Sequence, residues 1–572
     1  MHDLVIRNGT VVDGTGADRR QADVAIDGGA ITEVGEVAAE GTEEIDAHGL
    51  LVTPGVVDVH THYDGQVTWD PVLRPSTWHG VTTLVMGNCG VGFAPAPPDK
   101  REWLIGLMEG VEDIPGAALS EGIEWGWETF PEYLDHLDTL RLSVDVGTQV
   151  PHGAVRAYVM GDRGAKNEPA TPDDIEAMAA LVREGIEAGA LGFSTSRTIA
   201  HRAIDGEPVP GTFAAEDELF GIGRVLGELD TAVFELAPAG AAGEDLVNPP
   251  KEVDWMCRLS AEIGRPVTFA LTQNDAAPDQ WRELADLSYE AVERGASVHP
   301  QVAGRPFGLL LSHATTNAFI DRPSYAVLAD LPYEEKIDRL RSPDLREKVL
   351  AEEVARRDPI AEFVRNSYHK MYVLGDPPDY EPGPELTVQA IADREGRTPD
   401  EVLYDLLLED DGANMLMFPL LNYSYGSCDA LREMLLHPAA ALGLGDGGAH
   451  CGLICDASIP TFMLSHWVRD RTRGDTLPLE WVVKKQTHDT AQLFGLGDRG
   501  TLEKGKKADL NVIDPDGIRL LRPRAAWDLP AGGKRLLQDA EGYVATVVSG
   551  VVTQRHGQDT GARPGRLLRG AR

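Results

Sequence analysis

Cysteine is scarce: Cys89, Cys257, Cys428, Cys451 and Cys455 are scattered along 572 residues. That spacing excludes a disulfide-stapled secreted scaffold and points to a reducing compartment, the cytoplasm. Cations are also scarce, with 52 Lys and Arg against 92 Asp and Glu and a net charge of −40. A field of that sign repels phosphate backbones and anionic lipid, so neither nucleic acid nor a membrane surface is expected as a partner. No run approaches the roughly 20 apolar residues that span a bilayer, and MHDLVIRNGTVVDGTG lacks the basic flank and apolar stretch of a signal peptide. An enzyme-sized globular chain acting on a small molecule fits what is left, and a homo-oligomer is compatible with it.

The first 55 residues read as short strands and turns (LVIRNGTVV, ADVAIDGGAITEVG, GLLVTPG), and the texture returns in 506–514 and 542–554. Neither end can bury a core alone, so the expected organisation is one small β domain made by residues 1–55 and 496–572. Between them, strand-like runs alternate with helical patterns: 56–60, 82–87, 142–150, 190–195, 231–237, 266–271, 296–302 and 441–446. Eight such repeats predict an α/β barrel over 56–495 with its site at the strand C-termini. A helix over 171–190 opens on the Thr171 cap. Residues of about 305–440 break the rhythm, with the helical stretch 330–357 and a Pro-rich DPPDYEPGPE, and read as an insertion forming a lid or wall.

Asp58-Val59-His60-Thr61-His62 follows an apolar strand and a Pro-Gly turn. Alternate residues of a strand project to one side, so His60 and His62 can offer two imidazoles to one metal ion. Cys451 and Cys455 lack a second pair and read as structural, and Trp69 and Trp78 read equally as pocket or packing aromatics.

PGVVDVHTHYD (54–64), GVTTLVMGNCGVGFAP (80–95), EAGALGFSTS (187–196), LGDGGAH (444–450), THDTAQLFGLGDRGTLEKGKKADLNVID (487–514) and TGARPGRLLRG (560–570) occur in that order. Through these motifs the chain resembles the amidohydrolase superfamily and, within it, the N-acyl-D-amino-acid deacylase (D-aminoacylase) branch. The resemblance implies a TIM-like (β/α)8 barrel beside a small β-sandwich built from both chain ends, and a centre of one or two zinc ions. It implies that Cys89 is a metal ligand, as a thiolate suits zinc, and that Asp446 binds metal and serves as general base.

The departures are local. The branch draws two further metal-binding histidines from the fifth and sixth strands, but no histidine lies between His201 and His299. The corresponding stretches, TAVFELAPAG and PVTFALTQND, leave Glu235 as the candidate oxygen ligand, with Gln273 nearby. The branch's basic residue after the sixth strand is also absent, which predicts poor activity on ordinary N-acyl-D-amino acids. Candidates to contact substrate from the barrel's loops are His152, Arg197, His201, His299, Arg305 and His450. The expected activity is hydrolysis of a linear, non-peptide amide by metal-activated water. A cyclic-amide or lactone hydrolase on the same scaffold, or an inactive binding member, are the alternatives.

Overall fold

The computed structural model describes residues 1–354 and 359–570. Eight parallel strands follow one another around a barrel: β1 (Val56–Asp58), β2 (Val81–Met86), β3 (Asp145–Pro151), β4 (Gly192–Ser196), β5 (Val233–Ala237), β6 (Val267–Ala270), β7 (Val298–Val302) and β8 (Ala441–Leu442). All eight predicted runs are present, and each neighbouring pair from β1 to β8 is in parallel register. The ring closes between its first and last strands, where Thr61 bridges Gly447 in parallel and the Asp446 N–H donates to the His60 carbonyl at 2.9 Å.

Sequence patterning accounts for the scaffold. The strands are buried along their whole length because helices cover their outer faces, so they read as continuous apolar runs. The helix predicted over 171–190 spans Pro172–Ala188; Thr171 and Asp174 form a reciprocal capping box and Gly189 ends it in the left-handed region. β8 is much shorter than the run that predicted it. Past Leu442 the chain presses against the barrel interior, and a Cβ on Gly443 would lie 2.2 Å from Gln301 while one on Gly445 would lie 2.7 Å from Asp58. That close approach aims Asp446 into the barrel mouth.

Strands from both chain ends share a separate nine-stranded sheet. Leu51–Pro54 pairs antiparallel with Leu510–Ile513, setting Val52 opposite Val512, and Leu4, Ile6, Val24 and Ile26 bury against Leu510, Ala545 and Val547. The sequence pattern gave no sign of the strand Gly41–Asp46, which lies parallel to His2–Val11. The tail runs across β3: Gly565 N–H donates to the Leu142 carbonyl at 2.9 Å and Leu568 N–H to Val146 at 2.7 Å.

Within the insertion, Phe307–Leu311, Leu416–Leu421 and Tyr372–Val373 form a three-stranded antiparallel sheet over its own core of Leu311, Phe319, Leu340, Tyr404 and Phe418. The helical stretch 330–357 resolves into Tyr333–Leu340 and Pro343–Ala351, and its residues from 355 lie outside the described residues. No helix among the described residues is long and apolar enough to cross a membrane.

Candidate metal centre

A cavity of about 140 Å³ opens at the C-terminal rim of the barrel. His60 and His62, just past β1, enter its floor with Cys89 from the turn after β2 and Asp446 from the turn after β8. His60 Nε2 lies 3.3 Å from the Cys89 sulfur and 3.4 Å from Asp446 Oδ1, and His62 Nε2 lies 3.8 Å from the same oxygen. His60, His62 and Cys89 each bring a donor atom within 4.8 Å of the other two. Glu235, on β5, is fully buried beside them; its Oε2 accepts from the Cys89 N–H at 2.9 Å, and its Oε1, 3.8 Å from His60 Nδ1, accepts no hydrogen bond among the described residues. Cys89, Asp446 and His450 hold left-handed backbone conformations (φ 54°, 44° and 51°), which each cost a non-glycine residue about 1–2 kcal/mol and concentrate where function requires an aimed side chain.

Burial sets the charge states. It holds His60, His201 and His450 down at about 4 and His62 well below its ordinary value. It pushes the Cys89 thiol and the Asp446 carboxyl well up, helped by neighbouring acids, and Glu235 up to about 8. Imidazoles that resist protonation stand here beside acids that resist ionisation. A divalent cation relieves both, since it binds neutral imidazole and favours thiolate and carboxylate. One sulfur, two imidazoles, Asp446 and the unpartnered Glu235 oxygen therefore fit a metal ion.

The remaining sequence candidates separate. His201 and His450 line the cavity; His201 Nδ1 is 3.0 Å from Ser196 Oγ, and His450 Nε2 is 3.9 Å from Asp446 Oδ2. The others do not reach it. His152 is bonded on both nitrogens, to Thr195 at 2.8 Å and Glu218 at 2.9 Å. Arg197 is clamped by Glu252 at 2.7 and 3.2 Å, and His299 sits at the opposite end of β7 on Ser297. Arg305 is buried against Asp456, Ser458 and Gln538 with its guanidinium 4.0 Å from the Tyr380 ring centre. Gln273 bonds to the 422–424 loop and does not line the cavity that holds His60, His62 and Cys89. Trp69 and Trp78 are not among the lining residues, which are mostly small or apolar: Ala237, Ala270 and Ala303 from the barrel, Phe307 and Leu421 from the insertion.

Gln301 and Glu112, which meet the two histidines, escaped the sequence reading. Gln301 on β7 meets His60 Nδ1 at 2.9 Å; strand alternation two residues beyond His299 was the signal available for it. Glu112 lines the cavity from the end of the helix Arg101–Glu112, with nothing local to distinguish it from a solvent-facing acid.

The amidohydrolase family model matches residues 43–554. The D-aminoacylase of Alcaligenes xylosoxydans xylosoxydans is 27% identical over 577 residues, covering 99% of this chain and 97% of that protein. A D-aminoacylase crystal structure described as defining a novel subset of amidohydrolases matches at TM-score 0.65 and 24% identity over 100% of both chains. The N-acyl-D-glutamate deacylase of Bordetella bronchiseptica, solved with zinc and a phosphonate mimic of the tetrahedral intermediate, matches at TM-score 0.64 and 23% identity over 99% of each. At these identities the likeness to the solved structures establishes the shared fold.

Proposed function

The chain belongs to the amidohydrolase family, and from that premise we propose that it hydrolyses the linear amide bond of a small N-acyl compound at a metal centre held by His60, His62, Cys89 and Asp446. The observation that carries this reading is the convergence of those four side chains, from three different strand ends, on the floor of one cavity. Glu235 completes the donor set through its unpartnered oxygen. A thiolate with imidazoles and carboxylates favours zinc, as one ion or two.

When bound, the ion polarises the amide carbonyl and makes water nucleophilic near neutral pH. Asp446 turns Oδ1 toward both imidazoles and Oδ2 toward the open cavity and His450, so one carboxylate can take the proton of the attacking water and pass it to the leaving nitrogen. His201 and His450, kept neutral by burial, can donate to or accept from the amide without adding charge. The alanine-rich barrel wall with Phe307 and Leu421 receives the apolar part of the substrate. Arg197 and Arg305, bound to carboxylates of their own, offer a substrate carboxylate no anchor from their present positions.

The test is metal content and turnover together. Protein purified without added metal should carry at least one equivalent of zinc by elemental mass spectrometry. Chelation should abolish hydrolysis across a panel of N-acetyl-D-amino acids, N-acetyl-L-amino acids and aryl amides, and zinc should restore it. Failure of the zinc-loaded protein to cleave any N-acyl compound would refute the proposal.

A further inference from the structure

Glu112 is an expensive residue where it stands. The helix Arg101–Glu112 buries Leu104, Leu107, Met108 and Val111 and ends at Asp113, which is left-handed at φ 51°. A carboxylate at that end faces the negative pole of the helix. It is 2% exposed, deep in the barrel mouth. No Lys or Arg pairs with it in compensation among the described residues, and burying a carboxyl unpaired is destabilising. Such a group is not explained by stability.

Its contacts explain it. Oε1 lies 3.4 Å from His62 Nδ1, and among the described residues neither atom makes a hydrogen bond, so a buried donor and a buried acceptor face each other unsatisfied. Oε2 lies 3.8 Å from His450 Nε2, and the Glu112 carbonyl accepts the His450 N–H. His60 offers the internal comparison: its Nδ1 is held by Gln301 at 2.9 Å while its Nε2 faces Cys89 and Asp446. His62 is placed in the same sense with Glu112 in the position of Gln301, its Nδ1 3.4 Å from the acid, not yet a hydrogen bond, and its Nε2 toward Asp446.

We propose that Glu112 is the positioning residue of the metal centre, its Oε1 taking the Nδ1–H of His62 so that Nε2 keeps the lone pair for metal, and its Oε2 aligning His450 beside Asp446. A carboxylate behind a histidine fixes its tautomer and ring orientation and raises its basicity, and losing such a partner typically weakens metal affinity about 10- to 100-fold. The proposal rests on the metal-centre reading above, but its test needs no substrate.

Zinc dissociation constants from chelator competition, with the melting temperature of the metal-free protein, decide it for Glu112→Ala, Glu112→Gln and the parent. The expected result is weakening of about 10- to 100-fold for Glu112→Ala and less for Glu112→Gln, whose amide oxygen still accepts the Nδ1–H. The metal-free Glu112→Gln protein should melt at the parent temperature or above it, since a costly buried carboxyl has gone. Cobalt-loaded Glu112→Ala should also show a shifted visible spectrum. Zinc affinity within twofold of the parent in both variants would overturn the proposal, as would a loss matched by destabilisation of the metal-free protein. The His60→Ala, His62→Ala double variant separates the readings: if it too keeps its zinc, the metal-centre reading has failed, whereas if it alone loses zinc only the role of Glu112 has.

Discussion

Arg305 was a substrate candidate in the sequence, and the structure makes it a structural cation whose removal should cost stability. It is 2% exposed and donates to Asp456 Oδ1 from Nε at 3.0 Å and Nη2 at 2.7 Å, to Ser458 at 2.9 Å and to Gln538 at 3.3 Å. At 2.7 Å and an effective dielectric constant near 20 the gross attraction is about 6 kcal/mol. Most of that offsets desolvation, but deleting one partner of a buried pair costs about 3–5 kcal/mol because the other charge stays buried. Unfolding entropy scales to about 1.2 kcal/mol/K for a chain of 572 residues, so Arg305→Ala should lower Tm by about 2–4 °C if the protein melts as one unit.

The deficit should depend on pH. Burial raises the Asp456 carboxyl above 3.8, and Arg305 pulls it back down. Without Arg305 the folded-state value rises further, so the folded protein binds the proton more tightly than the unfolded chain. Stability then falls as pH increases through that window, and the deficit against the parent should be largest near neutrality and shrink toward pH 4. Calorimetry of both proteins from pH 5 to 8, with KM and kcat, tests this. A variant with parental Tm and a selectively raised KM would refute the structural assignment and return Arg305 to the substrate.

Two further outcomes are expected at the centre itself. Asp446→Asn should lower kcat by at least about 10²–10⁴-fold with substrate affinity largely kept, measured by steady-state kinetics and calorimetric binding; near-native kcat would move the base elsewhere, Glu235 first. The His60→Ala, His62→Ala double variant should lose its metal by elemental analysis while keeping the far-ultraviolet circular dichroism of the parent, because both side chains project into the cavity at the barrel mouth; full metal occupancy would refute the ligand assignment.

What was legible in the sequence was set by neighbours along the chain. Apolar runs at βα spacing predicted all eight barrel strands, the Thr171 cap predicted a helix start, and His60 and His62 share a face because a strand alternates. Each is a short-range rule that holds wherever the segment ends up. The branch motifs extended the reading to Cys89 and Asp446, which lie 357 positions apart and carry no local signal that they meet.

Only the tertiary structure decided partners across such distances. Glu112 looks in sequence like any acid on an amphipathic helix, and the folded chain delivers it to His62 and His450. Arg197 and Arg305 look like free cations on catalytic loops, and the fold pairs them with Glu252 and Asp456, 55 and 151 residues away. Burial makes those pairings obligatory, because a charge removed from water must find a partner, and the sequence does not record which distant residue will be near enough to serve.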